Sequence, residues 1–232
     1  MQVSDWIQFH GHILQLEQKG LVTRTFRRLD PERQETVIAA IMDEAVVKGP
    51  AAINIKKVAE RAGVSVGSLY AYFGNREGLL AFAVELCGRY LNDELSSFGP
   101  YLVNLPLRDG LNWYLKGGLE WGRTQEGLVQ FFAKAAYQGD PELGEKVVRP
   151  IATNLRGIVH EMLVRAAERG EIRQDVDLEA ATRVIHALSI AVGDSLLLSY
   201  LNTYFQVYDD DLSFERTLEA MVEMIVEGIG RV

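Results

Sequence analysis

The sequence has a single cysteine, Cys87, and lacks the features of a secreted or membrane-spanning chain. One cysteine cannot form an intramolecular disulfide, and it excludes a zinc site built from several thiolates. The first residues show no basic segment followed by an apolar run and a cleavage site. The longest apolar stretch, residues 187–200, is interrupted by Gly193 and Asp194 and is shorter than the roughly 20 residues that span a bilayer. These absences predict a cytoplasmic protein without a membrane partner.

Signatures of catalysis and of metal binding are also missing. The sequence contains no serine nucleophile elbow, no phosphate-cradling glycine loop and no arrangement of paired carboxylates that the sequence alone supports as catalytic. Neither His160 nor His186 has a second ligand at a metal-binding spacing, and the run Asp209–Asp211 is interpreted as a solvated loop because an EF-hand requires spaced ligands. We therefore expect no enzyme, no catalytic residue, no metal and no cofactor.

Positive charge is scarce overall but concentrated in one segment. The chain has 24 Lys and Arg against 32 Asp and Glu, a net charge of −8. Between Lys19 and Arg76 there are ten basic and six acidic residues, so this segment carries +4 and the remainder −12. This asymmetry predicts a basic module that faces an anion, attached to an acidic body.

Helical periodicity extends over nearly the whole chain, without alternating strands or an Asn-Gly hairpin. An all-α fold follows. The first amphipathic helix is predicted from an N-cap at Ser4 to Gly20, and the second begins at Asp30-Pro31 and stops at Gly49-Pro50. Further helices are predicted over residues 55–62, 66–73, 76–95, 107–124, 127–137, 141–169, 177–204 and 213–229.

Residues 54–73 have the pattern of a helix-turn-helix. Asn54 caps the helix 55–62, Gly63 provides a left-handed turn residue, and Ser65 caps the helix 66–73. A rotation of 100° per residue divides the second helix into three groups. Val66, Leu69 and Phe73 face the core, Gly67, Ser68 and Ala71 form an exposed strip of small residues, and Tyr70 and Tyr72 flank this strip. Such a strip lets a helix enter the major groove of DNA, which is about 12 Å wide.

The segment INIKKVAERAGVSVGSLYAYFGNREGLL resembles the DNA-binding domain of the TetR family of bacterial transcriptional regulators, and the similarity covers about residues 32–91. Ser68 stands where the family often has threonine, and Asn75-Arg76 replaces the common serine-lysine. The resemblance implies a three-helix DNA-binding domain over residues 30–76 and a larger helical domain for effector binding and dimerisation over residues 77–232. Residues 1–29 are then an N-terminal extension.

Site residues for DNA are carried over from this resemblance. It implies that Ser65, Tyr70, Tyr72 and Arg76 touch phosphates and that Val66, Gly67 and Ser68 approach base edges. Asn54, Lys56 and Lys57 surround the same unit and are predicted to contact phosphates as well. Alternatively, the two tyrosines only cover the rim of a small core. Arg27 and Arg28 form either an arm that reaches a neighbouring groove or a plain solvated linker.

The last two long helices have broad apolar faces. These comprise Ile185, Leu188, Ile190, Val192, Leu196 and Leu197 in one helix and Leu218, Met221, Val222, Ile225 and Val226 in the other. In the resembled family such helices form a four-helix dimer interface, so we predict a homodimer with two recognition helices about one DNA turn apart on a near-palindromic operator. Asp194 is either a counter-ion for a cationic effector or faces a polar partner across the dimer.

The family builds its effector pocket in the region that corresponds to residues 111–160. The candidate ligand-binding residues there are Trp113, Tyr114, Trp121, Phe131, Phe132, Tyr137 and His160. Aromatic side chains with a few polar groups suit a small apolar or amphipathic effector, although ordinary core packing is an alternative for each of them.

We therefore expect a ligand-responsive transcriptional regulator, most simply a repressor that an effector releases from its operator. The alternative is a protein-interaction module that has the same fold without operator binding. Such a module would lack the hydroxyls and cations around the recognition helix, and these are present. The extension 1–29 either packs as an extra helix on the dimer or the DNA-binding domain, or is loosely attached; Trp6 and Phe9 favour packing.

Overall fold

The computed structural model describes the backbone of residues 3–231 and the side chains of residues 11–231. Within this range the chain is helical, and the predicted all-α fold is confirmed; no strand is present in it beyond an isolated bridge between Ile172 and Gly230. The helices are α1 (Val3–Gln18), α2 (Arg24–Arg27), α3 (Pro31–Lys48), α4 (Ile55–Ala62), α5 (Val66–Phe73), α6 (Arg76–Leu102), α7 (Leu107–Asn112), α8 (Gly118–Thr124), α9 (Glu126–Tyr137), α10 (Pro141–Leu143), α11 (Arg149–Glu168), α12 (Leu178–Leu197), α13 (Ser199–Phe205) and α14 (Phe214–Ile229).

The helix starts follow the capping residues in the sequence. Asp30 precedes Pro31 and its carboxylate accepts a hydrogen bond from the N–H of Arg33 at 2.9 Å, which satisfies one of the unpaired donors of the first turn. Side chains cap α4, α5, α12 and α14 in the same way, namely Asn54, Ser65, Asp177 and Ser213. The predicted caps Asp30, Asn54, Ser65 and Ser213 are confirmed, whereas Ser4, predicted to cap the first helix, lies inside α1.

Four of the predicted helices differ in the structure. α6 continues past Pro100 to Leu102, whose side chain is buried, instead of ending at residue 95. The predicted helices 107–124 and 141–169 each contain one turn of π-helix, at Trp113–Gly117 and Gly144–Val148. The predicted helix 177–204 is broken at Leu198, whose backbone leaves the helical region. Periodicity does not resolve such local changes of winding.

The chain forms two compact units. The first contains residues up to Asp93 together with Gly127–Ile151, and the second contains Glu94–Glu126 together with Ala152–Val232. The boundaries between these units therefore fall inside α6, after the first residue of α9, and inside α11. In the first unit the Cys87 thiol lies 3.5 Å from the carbonyl oxygen of Leu128, which joins α9 to α6.

The N-terminal extension belongs to the first unit. Ile13 and Leu16 of α1 and Phe26 of α2 are fully buried, and Phe26 packs against an aromatic cluster that also comprises Tyr72, Phe73 and Phe82. The solvated-linker prediction is wrong for Arg27, which ends α2, is half-buried and forms an ion pair with Glu17. Arg28 follows α2 and is exposed, so a contact of Arg28 with a neighbouring groove stays a prediction. The side chains of Trp6 and Phe9 lie outside the described residues.

The second unit has its own apolar core, to which α7, α11, α12 and α14 contribute. α12 is long and apolar enough to span a membrane by length and composition. Its inner side nevertheless carries buried polar residues, namely Thr182, Ser189, Asp194 and Ser195. The hydroxyls of Thr182, Ser189 and Ser195 donate to carbonyls one turn earlier. We interpret α12 as a core helix.

Candidate nucleic-acid interface

The turn between α4 and α5 has the geometry of a helix-turn-helix. Gly63 ends α4 in the left-handed region, with φ of 62° and ψ of 33°, a conformation that costs glycine little. The N–H of Val64 reaches back to the carbonyl of Ala59 at 3.0 Å. The Ser65 hydroxyl then accepts a hydrogen bond from the N–H of Ser68 at 2.9 Å and begins α5. The sequence prediction of this turn is confirmed.

Most of α5 is oriented as its periodicity predicts. Leu69 and Phe73 are buried, whereas Gly67, Tyr70 and Ala71 are exposed, and Ser68 is half-buried with its hydroxyl 2.8 Å from that of Ser65. Tyr70 is 45% exposed, so its ring stands at the edge of the exposed strip.

Two residues of α5 depart from the predicted orientation. Tyr72 does not flank the exposed strip as predicted, because it is buried and its ring lies 5.5 Å from that of Phe26. Val66 was assigned to the core, yet it is half-exposed at the first position of the helix. The alternative prediction, that the tyrosines only cover a small core, therefore fits Tyr72 but not Tyr70.

The cations around α4 differ in what they contact. Lys56 is exposed, and Lys57 pairs with Glu60 at 2.9 Å, a hydrogen bond that lowers the pKa of the Glu60 carboxyl. Arg61 pairs at 3.0 Å with Glu44, whose side chain is buried in α3. Both lysines are therefore on the surface, Lys57 with an intrahelical partner, while Arg61 serves the packing of α4 on α3.

Arg76 was predicted as a phosphate contact, and the structure gives it internal partners. Its Nε donates to the carbonyl oxygen of Ile53 at 2.9 Å, and a terminal nitrogen donates to the carbonyl of Ala51 at 2.5 Å. The guanidinium is half-buried and ties the start of α6 to the loop before α4. No feature of the sequence pattern pointed to this role.

Thr23, which lies in no sequence motif, forms two hydrogen bonds with α5. Its N–H donates to the carbonyl oxygen of Tyr72 at 2.9 Å, and its hydroxyl donates to the carbonyl oxygen of Ala71 at 2.8 Å. Thr23 therefore contacts the C-terminal end of α5 across about fifty residues of sequence, and no motif signals a contact of this kind.

The predicted effector residues divide between the two compact units. Trp113, Tyr114, Trp121 and His160 belong to the second unit, while Phe131, Phe132 and Tyr137 belong to the first. Phe131 and Phe132 are buried core residues of the first unit. In the second unit Trp121 packs edge-to-face on Phe98 at 6.0 Å, and burial raises the pKa of the Tyr114 hydroxyl. His160 lies 3.2 Å from the Thr182 hydroxyl.

An open apolar groove of about 570 Å³ lies between α12 and α14 in the second unit. It includes Val184, which is 59% exposed, and Met224, which is 74% exposed. Its remaining lining is formed by Ala180, Ala181, Ile185, Leu188, Val192, Thr217, Ala220, Met221, Ile225, Gly228 and Ile229. Asp194 is buried and does not line this groove.

Comparison with known proteins agrees with this arrangement. A profile of bacterial regulatory proteins of the tetR family matches residues 37–82, which contain α4, the turn and α5. A profile of tetracyclin repressor-like C-terminal domains matches residues 107–191. The two matches together span more than half of the chain. The chain belongs to the TetR family of transcriptional regulators.

Relatives of this TetR-family protein are regulators by name. An HTH-type transcriptional repressor of Mycobacterium tuberculosis is 28% identical over 184 residues, which cover 77% of this chain and 82% of the relative. A TetR family regulator of Chloroflexus aurantiacus has the same fold, with a TM-score of 0.63 and 19% identity over 91% of this chain and 99% of that chain. The regulator FadR of Bacillus subtilis, solved in complex with stearoyl-CoA, gives a TM-score of 0.58 and 18% identity over 84% of this chain and 98% of that chain.

Proposed function

We propose that this TetR-family regulator is a repressor that binds a near-palindromic operator as a homodimer and is released by a small apolar or amphipathic effector. The observation that carries the proposal is the exposed face of α5. Gly67 and Ala71 keep this face flat, and the hydroxyls of Ser65, Ser68 and Tyr70 border it. A narrow helix with small outward side chains enters the major groove closely, so that its polar atoms reach base edges and phosphates.

The phosphate contacts are assigned to groups that are free to face outward. Tyr70 presents its ring at the edge of the strip, and Lys56 is exposed in the first turn of α4. The capped N-termini of α4 and α5 add backbone N–H groups and the positive end of the helix dipole. Tyr72 is left out of this set because it is buried, and Arg76 acts first on the backbone carbonyls of Ala51 and Ile53.

A second copy of the chain is the proposed occupant of the α12–α14 groove. The support for this proposal is an apolar groove at whose surface the large side chains of Val184 and Met224 are more than half exposed, since contiguous exposed apolar surface often marks an interface. Two copies related by a two-fold axis would cover Val184 and Met224 and would present two α5 helices to successive major grooves, about 34 Å apart. The operator is therefore expected to contain two inverted half-sites.

The effector is proposed to bind at the aromatic side chains of the second unit, Trp113, Tyr114 and Trp121. Tyr114 brings a hydroxyl into an apolar surrounding, and it lies in the π-helical turn Trp113–Gly117, a local winding that is frequent at functional sites. The FadR complex is a precedent within the same fold for an amphipathic acyl thioester as ligand. Trp113 and Trp121 make intrinsic fluorescence a direct readout of binding.

The deciding experiment is operator binding by fluorescence anisotropy at two salt concentrations, with DNA obtained by selection from a random pool. We expect selective, salt-sensitive binding to an inverted repeat. Tyr70→Phe removes only the exposed hydroxyl and should weaken this binding by about 5- to 10-fold. Tyr101→Phe is the matched control, since Tyr101 is an exposed tyrosine of the second unit and should leave binding unchanged.

Failure of the selection to enrich any sequence would overturn the repressor proposal and favour a protein-interaction module. The effector part is tested separately by titrating stearoyl-CoA into the protein–DNA complex. Release of the DNA with a change in tryptophan fluorescence, both weakened in Trp121→Leu, is the expected result. A ligand that releases DNA equally well from Trp121→Leu would contradict the assigned site.

A further inference from the structure

The C-terminal end of the recognition helix α5 is completed by a distant part of the chain. An α-helix leaves its last four carbonyls without partners inside the helix. In α5 the outer two are satisfied locally, since the N–H of Gly74 donates to the carbonyl of Tyr70 at 2.8 Å and that of Asn75 to the carbonyl of Phe73 at 3.0 Å. The inner two, at Ala71 and Tyr72, accept from the hydroxyl and the N–H of Thr23. One residue outside the helix-turn-helix thus supplies half of the cap.

Thr23 is held in place by the residues that follow it. Phe26, three positions later, is fully buried and its ring lies 5.2 Å from that of Phe73 at the end of α5. The buried amide of Gln34 in α3 donates from Nε2 to the carbonyl oxygens of Phe26, Arg27 and Leu29, at 3.0, 2.8 and 3.2 Å. These hydrogen bonds from Gln34 hold the backbone of residues 26–29 in one path, whereas a solvated linker would have no such restraint.

The preceding helix anchors the other end of the segment on α6. Lys19 pairs with Glu85 at 3.1 Å, and Arg89 donates to the side chain of Gln15 at 2.7 Å. Arg27 of α2 is paired with Glu17 of α1. The segment is therefore attached to α6 by two side-chain contacts, to α3 through Gln34 and to the last turn of α5 through Thr23.

From these contacts we infer that residues 12–29 form a brace that sets the position of the recognition helix, and that Thr23 is the positioning residue through which the brace acts. The inference rests on the proposed function, because α5 is the helix that would enter the groove. α5 has only eight residues, and a helix of that length depends on tertiary contacts for its stability. The cap at Ser65 fixes its start, and Thr23 fixes its end.

Such a brace affects sequence-selective binding more than general attraction to DNA. Base-edge contacts require α5 to lie at one depth and angle in the groove, whereas the attraction of cations to phosphates tolerates small displacements. Thr23 contributes no charge, and removal of its hydroxyl leaves the cations around α4 unchanged. Its loss should therefore lower the ratio of specific to non-specific affinity while the salt dependence stays the same.

The test compares Thr23→Val with Thr23→Ser and with Thr25→Val in the full-length protein. Valine keeps the shape and the N–H of Thr23 but removes the donor to Ala71, and serine restores that donor. Thr25 is an exposed threonine two residues later, inside α2. We expect Thr23→Val to weaken binding to the selected DNA by about 5-fold and to leave binding to random DNA unchanged. Thr23→Ser and Thr25→Val should both behave as the wild type.

Hydrogen exchange without DNA provides a readout that does not depend on operator binding. The amides of the last turn of α5 should exchange faster in Thr23→Val than in the wild type, while those of α4 should not change. The inference would be overturned if a folded Thr23→Val protein bound the selected DNA, and exchanged the amides of α5, just as the wild type does. It would also be overturned if this variant lost the same factor of affinity for selected and for random DNA. If the wild type itself binds no DNA selectively, the proposed function fails, and the exchange comparison still decides whether Thr23 braces α5.

Discussion

The Nε of Arg76, the first residue of α6, lies 2.9 Å from the carbonyl oxygen of Ile53, which directly precedes the Asn54 cap of α4. A second nitrogen of the same guanidinium reaches the carbonyl of Ala51. The planar guanidinium of arginine can donate to two separate carbonyl oxygens at once, and the single ammonium of lysine cannot reproduce this geometry. Arg76 thereby joins the helix after the helix-turn-helix to the loop before it.

Arg76→Lys is expected to lower the free energy of unfolding by about 1–2 kcal/mol, because two partly buried carbonyls lose a charged donor while the positive charge is kept. Urea denaturation measures this change. Arg33→Lys is the matched control, since Arg33 is an exposed residue of the first turn of α3, and it should be neutral. A purely phosphate-binding Arg76 would instead tolerate lysine with unchanged stability.

The ion pair between Arg61 and Glu44 is expected to stabilise the packing of α4 on α3. Glu44 has only 2% of its side chain exposed, so removal of its partner leaves a buried carboxylate without a counter-ion. Because Arg61 is itself about a third exposed, we expect Arg61→Met to lower the free energy of unfolding by about 2–3 kcal/mol. Thermal denaturation with a van't Hoff analysis measures this change in the free energy of unfolding.

The exposed pair of Lys57 and Glu60 on the same helix provides the control for Arg61. Water screens this pair, so Lys57→Met should leave the midpoint of unfolding where it is in the wild type. An equal effect of the two substitutions would mean that the burial of Glu44 has no energetic consequence.

Local sequence patterns are sufficient for some elements of this fold and not for others. Caps such as Asp30, Asn54 and Ser65 act within one turn, so the residue order alone locates the helix starts. Tyr72 was misplaced because its position on α5 borders the apolar face, and only Phe26 of α2 decides that its ring is covered. Contacts such as that of Thr23 with Tyr72 are set by tertiary packing, which no periodicity within α5 encodes.

Disruption of the α12–α14 groove is expected to dissociate the proposed homodimer. Met224→Glu and Val184→Glu each place a carboxylate in the centre of an apolar surface, where burial against a second copy carries a large desolvation cost. We expect the dimer dissociation constant to rise by at least about 100-fold, which corresponds to an interface hot spot. Sedimentation equilibrium measures the constant, and circular dichroism verifies that the variant chains are still folded.

Val47→Glu is the matched control for the dimer variants, because Val47 is 57% exposed in α3 of the first unit. It should leave the association state unchanged. A wild-type chain that sediments as a monomer at micromolar concentration, or a dimer that tolerates both glutamates, would contradict the assignment of the groove to a second copy.

Stability is expected to fall on mild acidification because of His12. This side chain is 4% exposed in α1, and neither ring nitrogen has a hydrogen-bond partner within the described residues. Burial lowers the pKa of His12, Arg89 acts in the same direction, and Asp93, 3.6 Å from Nε2, opposes them. The unfolded chain therefore takes up a proton at His12 at a higher pH than the folded chain, so stability is lost as the pH falls through about 6.5.

This loss of stability is measured as the difference in the free energy of unfolding between about pH 7.5 and about pH 5.5, a range in which carboxylates titrate little. His12→Phe keeps an aromatic ring beside Tyr90 and should reduce this difference. Asp93→Asn removes the group that raises the pKa of His12, so it should increase the difference. His186, whose pKa burial also lowers, contributes equally in all three proteins. An unchanged pH dependence in both variants would show that His12 is not protonated on unfolding in this range.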